Sequence, residues 1–217
     1  MINMSETKPI IGISLRIVSA PGYNEKRDAL SQDWTKFFEK LGVNPLLIPN
    51  TLKNITSFLD DMKVQGLILS GGDNISDDVN RDETERKILN YSIDKKIPLV
   101  GICRGMQVIN KFFGGEIETL ENSEHVGKPH SVSLNQKFAS SLQTKNFKVN
   151  SFHHNIINQK KLGQNLEPFA MANDNTVEGF YHSELPIVGI MWHPERTQNL
   201  ENELMIRNIF FNKDLKK

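Results

Sequence analysis

The chain has 217 residues, with 26 Lys and Arg against 26 Asp and Glu, so its formal net charge is zero. That balance excludes a protein held to nucleic acid or an anionic membrane by its overall field, leaving at most a local basic site. A hydrophobic content of 38% supports a real core, no apolar run reaches the ~18 residues of a membrane span, and one cysteine, Cys103, excludes a disulfide framework or multi-cysteine metal cluster.

Pro9 to Leu15 (PIIGISL) is an isoleucine-rich run with the length of a buried strand. From Glu25 the period changes: Leu30, Trp34, Phe37, Phe38 and Leu41 share one helical face, and Gly42 ends it. Leu46 to Ile48 reads as a brief strand closed by Pro49, and Ile55, Phe58, Leu59 and Met62 mark a second helix. Gly66 to Ser70 is a third strand, ending in Gly71-Gly72-Asp73-Asn74. A helix then begins near Asp82, where Asp82 and Glu85 have capping-box spacing. Ile97 to Ile102 is a fourth strand that runs straight into Cys103; Arg104 to Phe113 should be helical, with Gly114-Gly115 as its stop. Four strand–helix units in order predict an α/β fold, a parallel doubly wound sheet with helices on both faces.

After Gly115 the pattern loosens. Ser131 to Asn135, Phe147 to Ser151, Phe169 to Ala172 and Val177 to Tyr181 read as short strands, Pro186 to Trp192 as a buried strand, and Leu200 to Phe211 as a closing helix. No repeat, low-complexity tract or linker interrupts the chain, so residues 1–217 are expected to form one domain with an ordered core over about 8–212. The amino terminus, MINMSETKP, lacks the apolar core of a signal peptide, so a cytoplasmic protein is expected.

Ligands of an open parallel sheet bind beyond the carboxyl ends of its strands. Arg16, Gly71-Gly72, Cys103 and His193-Pro194-Glu195-Arg196 all fall at that edge. Gly101-Ile102-Cys103-Arg104-Gly105 is Gly-x-Cys-x-Gly between a strand and a helix, the cysteine form of a nucleophile elbow. The helix amino terminus and Arg104 both favour thiolate there, and the Arg104 amide is placed to help hold an oxyanion. His193 and Glu195, two apart on extended chain, point to the same side, so the imidazole can take a thiol proton while the carboxylate orients it. Gly71-Gly72 can offer backbone N–H groups to an anion, but no Gly-Lys-Ser/Thr follows, so it is not a phosphate loop. His153-His154, with His125 and His130, invites a metal site; adjacent histidines on extended chain diverge, so no metal is expected.

Six stretches carry a family resemblance: LILSGGDN (Leu67 to Asn74), RDETE (Arg81 to Glu85), PLVGICRGMQVIN (Pro98 to Asn110), VNSFHH (Val149 to His154), VEGF (Val177 to Phe180) and VGIMWHPE (Val188 to Glu195). Together the chain resembles the class I glutamine amidotransferases, specifically the γ-glutamyl-γ-aminobutyrate hydrolase-like branch of peptidase C26 type. The resemblance implies a flavodoxin-like fold with a mostly parallel central sheet, a cofactor-free hydrolase, and a Cys103, His193, Glu195 triad. It further implies an oxyanion hole from the backbone amides of Gly72 and Arg104. Gln107 and the Ser151, Phe152, His153 segment would hold the α-amino and α-carboxylate groups of a glutamyl substrate.

The sequence departs from that branch on the acceptor side. Asn155 stands where a glutamine usually follows the paired histidines, Gly-Gly-Asp-Asn carries its acid one place early, and GISLR…NEKRDALSQDW is unlike the aminobutyrate enzymes. That amino-terminal region and the IMWHPER ending resemble the γ-glutamyl-CDP-amidate hydrolases of capsule phosphoramidate synthesis. A diphosphate leaving group needs cations, and of Arg16, Arg27, Arg81 and Arg196, Arg16 is expected to meet a phosphate. The expected partner is a small-molecule γ-glutamyl substrate, with no nucleic acid and no membrane, and a homodimer is compatible with this reading. The alternatives are γ-glutamyl-γ-aminobutyrate hydrolysis, a glutaminase subunit feeding ammonia to a separate synthase, and a non-enzymatic sensor that kept the fold; an intact triad argues against the last.

Overall fold

Ile10–Ser14 forms β1, and the chain folds back on itself before any helix begins. Arg16–Ser19 (β2) and Lys26–Ala29 (β3) pair antiparallel, Arg16 opposite Ala29, as a separate two-stranded hairpin. The helix expected from Glu25 onwards therefore starts only at Gln32: α1 is Gln32–Leu41, capped by the Ser31 side chain and ended by Gly42 at φ 68°. Lys26-Arg27-Asp28 is exposed on both faces, so neither strand period is written in its side chains. The structure is a computed structural model and describes residues 7–119, 127–197 and 199–211; residues 1–6 and His125 lie outside them.

Next come β4 (Asn44–Ile48), α2 (Ile55–Asp61), β5 (Gly66–Leu69), α3 (Val79–Lys95), β6 (Leu99–Ile102) and α4 (Arg104–Phe112). The capping box expected at Asp82 is not formed: α3 starts a turn earlier, where Asp78 accepts from the Asn80 amide. The second half holds β7 (Glu118–Thr119), β8 (His130–Leu134), α5 (Gln136–Leu142), β9 (Asn146–Val149), β10 (Asn155–Ile156), β11 (Leu166–Ala172), β12 (Val177–His182), β13 (Ile187–Ile190) and α6 (Leu200–Phe211).

Nine strands form one sheet in the order β4-β1-β5-β6-β13-β12-β11-β8-β9. The first five run parallel and the last four antiparallel. Alternation divides the core between the two faces. Ile11, Ile13, Ile68, Val100 and Ile102 pack with Trp34, Phe37, Phe38 and Ile206 of α1 and α6, whereas Leu67, Leu69 and Leu99 pack with Ile88, Leu89, Met106 and Ile109 of α3 and α4. The result is an α/β architecture with helices on both faces of a central sheet whose parallel half carries the strand–helix units expected from the sequence. Among the described residues no helix is long and apolar enough to cross a membrane.

Candidate active site

Cys103 sits at the carboxyl end of the central strand β6, at φ 50° and ψ −103°, in a region that non-glycine residues rarely enter. Its amide is tied to the Ile190 carbonyl at 2.8 Å, which fixes the turn between β6 and its neighbour β13. The flanking glycines are required by contact: a Cβ on Gly101 would lie 2.4 Å from Ile109 Cδ1 and 2.6 Å from the Gly105 carbonyl, and one on Gly105 would lie 2.2 Å from the Leu69 carbonyl oxygen. Helix α4 thus packs directly on the sheet, and Cys103, buried, sits at its amino terminus.

His193 follows β13 and reaches the same rim. Its Nδ1 lies 2.7 Å from Glu195 Oε1, and both side chains are buried. Burial alone would push the imidazole down, but hydrogen bonds to Cys103 and to Glu195 outweigh it and raise His193 to about 9. The three residues predicted as a triad are therefore together. Gly71 is the wedge between them: a Cβ there would lie 2.7 Å from His193 Cε1 and 3.5 Å from Cys103 Cβ. Gly72 follows at φ 114°, and neither its N–H nor that of Arg104 has an acceptor among the described residues.

Sequence reasoning missed Asn150. Its Oδ1 accepts from the His193 amide at 2.9 Å, while its Nδ2 donates to the His193 carbonyl at 2.7 Å and to Thr197 Oγ1 at 2.6 Å. One amide side chain so clamps the backbone that carries the histidine. Its place next to the predicted Ser151-Phe152-His153 segment was the available signal.

Two of the residues assigned to the glutamyl group, Gln107 and His153, both meet Asn155. Gln107, one turn along α4 from Cys103, is buried; its Oε1 accepts from Asn155 Nδ2 at 3.3 Å, and Asn155 Nδ2 is also 3.4 Å from Asn74 Oδ1. Two of the departures noted in the sequence, Asn155 and the Gly-Gly-Asp-Asn loop, thus meet each other. Ser151 and His153 are buried, the latter with Nδ1 2.9 Å from the Asn155 carbonyl and Nε2 3.6 Å from Glu178. Phe152 is half-exposed, edge-on to His193 at 5.8 Å, with the Arg196 guanidinium 4.5 Å over its ring. His154 is exposed while His153 is buried, so the paired histidines do diverge; among the described residues no cluster is arranged to hold a metal.

One expectation about the arginines is corrected. The Arg104 guanidinium does not attend the thiol: it is buried against Glu85 and Asp82, which neutralise it. Arg16 has its Nη2 2.7 Å from Asp73 Oδ1. It does stay half-exposed, and it lines a small cavity of about 30 Å³ with Trp34, Gly71, Gly72, His193 and Arg196. Arg27 is turned to Glu25 and Tyr23 of its own hairpin, and Arg81 is buried below the site.

The peptidase C26 family model matches residues 9–195. Over 207 residues the chain is 36% identical to a γ-glutamyl-CDP-amidate hydrolase of Campylobacter jejuni, covering 92% of this chain and 96% of that one. It is 33% identical over 172 residues to one of the subunits of a glutamine-hydrolysing GMP synthase of Pyrococcus furiosus, covering 77% and 85%. Among solved structures, a glutamine amidotransferase of Thermotoga maritima superposes with a TM-score of 0.64 at 17% identity, covering 96% of this chain and 84% of that one, a likeness of fold alone.

Proposed function

The chain belongs to the peptidase C26 family, and we propose from that premise that it cleaves a γ-glutamyl amide through a thioester on Cys103. It is an amide-bond hydrolase of the glutamine amidotransferase type. The observation that carries the mechanism is a thiol placed with an imidazole against Gly71, the imidazole held in turn by a buried carboxylate, beside two unengaged backbone amides. Cys103 Sγ attacks the γ-carbonyl carbon, and the oxygen takes the negative charge between the Gly72 and Arg104 amides. His193, carrying the thiol proton, gives it to the leaving nitrogen as the C–N bond breaks. Water, deprotonated by His193, then attacks the thioester and releases glutamate and the thiol. Gln107, Ser151 and His153 would hold the glutamyl end, with Phe152 at the mouth. We take the chain as one domain, since strands from both its halves build one nine-stranded sheet, and the thioester route proposed here calls on no cofactor or metal.

The raised imidazole gives this scheme a pH signature. His193 keeps its proton up to about 9, so the alkaline limb of kcat/KM is expected near that pH. Glu195→Gln, which removes the carboxylate charge that helps raise it, should move the limb down. A pH–rate profile of both forms reads this; coincident limbs would mean that Glu195 does not act on His193. The sign for stability follows from the same shift: stabilisation from the proton is full below the ordinary histidine value of ~6.5 and disappears as pH passes about 9.

For the leaving group we propose cytidine diphosphoramidate, released in capsule phosphoramidate synthesis in the cytoplasm, where a lone reactive thiol stays reduced. Support comes from the near end-to-end likeness to the Campylobacter jejuni hydrolase and from Arg16 and Arg196, both at the rim of the site. A diphosphate must share Arg16 with Asp73 or displace it, exchanging one charge-assisted bond for another. Arg16→Ala should therefore lower turnover of γ-glutamyl-CDP-amidate by only about tenfold, and leave simple γ-glutamyl amides nearly untouched. Glutamate release from a panel of γ-glutamyl adducts (CDP-amidate, aminobutyrate, folate-type, glutamine) tests the assignment; preference for the aminobutyrate adduct would overturn it. The Pyrococcus furiosus relative supports a second reading, a glutaminase that works as part of a larger synthase. Glutamine turnover that rises when a synthase is bound would favour it.

A further inference from the structure

Below the active site lies a buried set of charges that the chemistry above does not use. Arg81 of α3 is 1% exposed. Its Nη2 donates to the Ser70 and Gly71 carbonyls, each at 2.9 Å, and to Ser70 Oγ at 3.2 Å. Nε donates to Glu85 Oε1 at 3.1 Å and Nη1 to Asp73 Oδ2 at 3.3 Å. Glu85, also buried, accepts from Ser14 Oγ at 2.9 Å and, on its other oxygen, from Arg104 Nη1. Such a buried cluster is a weak source of stability, because the desolvation of its members offsets their attraction. Its geometry points to another use.

A single planar guanidinium holds two successive carbonyls where β5 ends. The peptide unit is planar and trans, so its C=O and N–H point opposite ways. With the Gly71 carbonyl turned to Arg81, the Gly72 N–H is turned away from it, while Gly71 itself packs against Cys103 and His193. A Gly-Gly peptide has little of its own to hold that orientation, and Gly72, at φ 114°, uses a conformation open to glycine in which the peptide can rotate. We propose that Arg81 is a positioning residue that locks the Gly71–Gly72 peptide with its N–H toward the reacting carbonyl. Through Glu85, which also holds the side chain of Arg104, the two arms of the oxyanion hole share one anchor. The inference rests on the proposed acyl chemistry only in needing an oxyanion.

Arg81→Met removes the clamp; Arg81→Lys keeps a charge for Glu85 but has one nitrogen where the guanidinium uses three. Three readouts separate positioning from general damage. They are kcat and KM on a γ-glutamyl amide, acylation by p-nitrophenyl acetate (which makes the same oxyanion without glutamyl recognition), and alkylation of Cys103 by iodoacetamide, which makes none. Both variants are expected to lose on the order of a hundredfold in kcat and in ester acylation, as for loss of one oxyanion donor. KM should stay within about threefold, and alkylation should match the wild type. Wild-type ester acylation in a folded Arg81→Lys protein would overturn the inference, as would alkylation falling in step with acylation. If Arg81→Met does not fold, the lysine variant decides. A wild-type protein that reacts with the ester but ignores every γ-glutamyl substrate would refute the substrate reading alone, with the ester arm still testing Arg81.

Discussion

Cys103→Ala is expected to lower glutamate release from a γ-glutamyl amide by at least about 10⁴-fold while leaving the protein folded. No second thiol exists to substitute, since the chain has one cysteine. The reacting partners around it are fixed for this atom alone: the His193 imidazole lies with the thiol against Gly71 and is held from behind by Glu195. Alanine keeps the Cβ of Cys103, which lies close to Gly71, so the elbow keeps its shape and substrate affinity should change little. His193→Ala should be nearly as severe, and the double variant should be no worse than Cys103→Ala, because the two act as a unit. Timed glutamate release, read beside a thermal melt of each variant, checks all three. An alanine variant that turns over at the wild-type rate would remove the thioester route.

The parts of the fold and site that could be read from sequence share a physical feature: their chemistry is local. Strands β1, β5, β6 and β13 are buried on both faces, so each is a continuous apolar run. The elbow glycines flank the cysteine they serve, and His193 and Glu195 are two residues apart. What stayed hidden depends on distant or direction-dependent contacts. The β2–β3 hairpin has charged residues on both faces and so no alternation. Helix α5 is seven residues long and buries only Phe138 and Leu142, too few to set a period. Arg104 was legible as a residue beside the thiol, but its side-chain direction is decided by Glu85 and Asp82, 19 and 22 residues away. Asn150 serves a backbone 43 residues downstream and carries no reactive group to betray it. The same holds for Arg16, whose partner Asp73 is 57 residues away.

The elbow also predicts which glycine the fold cannot give up. Gly105→Ala places a methyl group 2.2 Å from the Leu69 carbonyl oxygen and 2.8 Å from its carbonyl carbon. Both are backbone atoms of β5, inside the sheet, so no rotamer change relieves the contact. Helix α4 must lift from the sheet, opening the packing of Met106 and Ile109 and carrying Cys103 away from His193. Alanine is the better helix former by about 1 kcal/mol, which opposes the loss without matching it. A net destabilisation of roughly 3–5 kcal/mol is expected, at or beyond the upper end for overpacking because backbone is struck. For a chain of this size that lowers Tm by about 10 °C. Gly114→Ala is the internal comparison: its φ of 84° disfavours a side chain, but nothing lies within 4 Å of the added Cβ, so only the left-handed backbone strain of about 1–2 kcal/mol applies. Thermal melts of the two variants decide. Equal melting temperatures would mean that α4 is not seated against β5 as tightly as the elbow requires, and activity lost in Gly105→Ala without a fall in Tm would point to displacement of Cys103 alone.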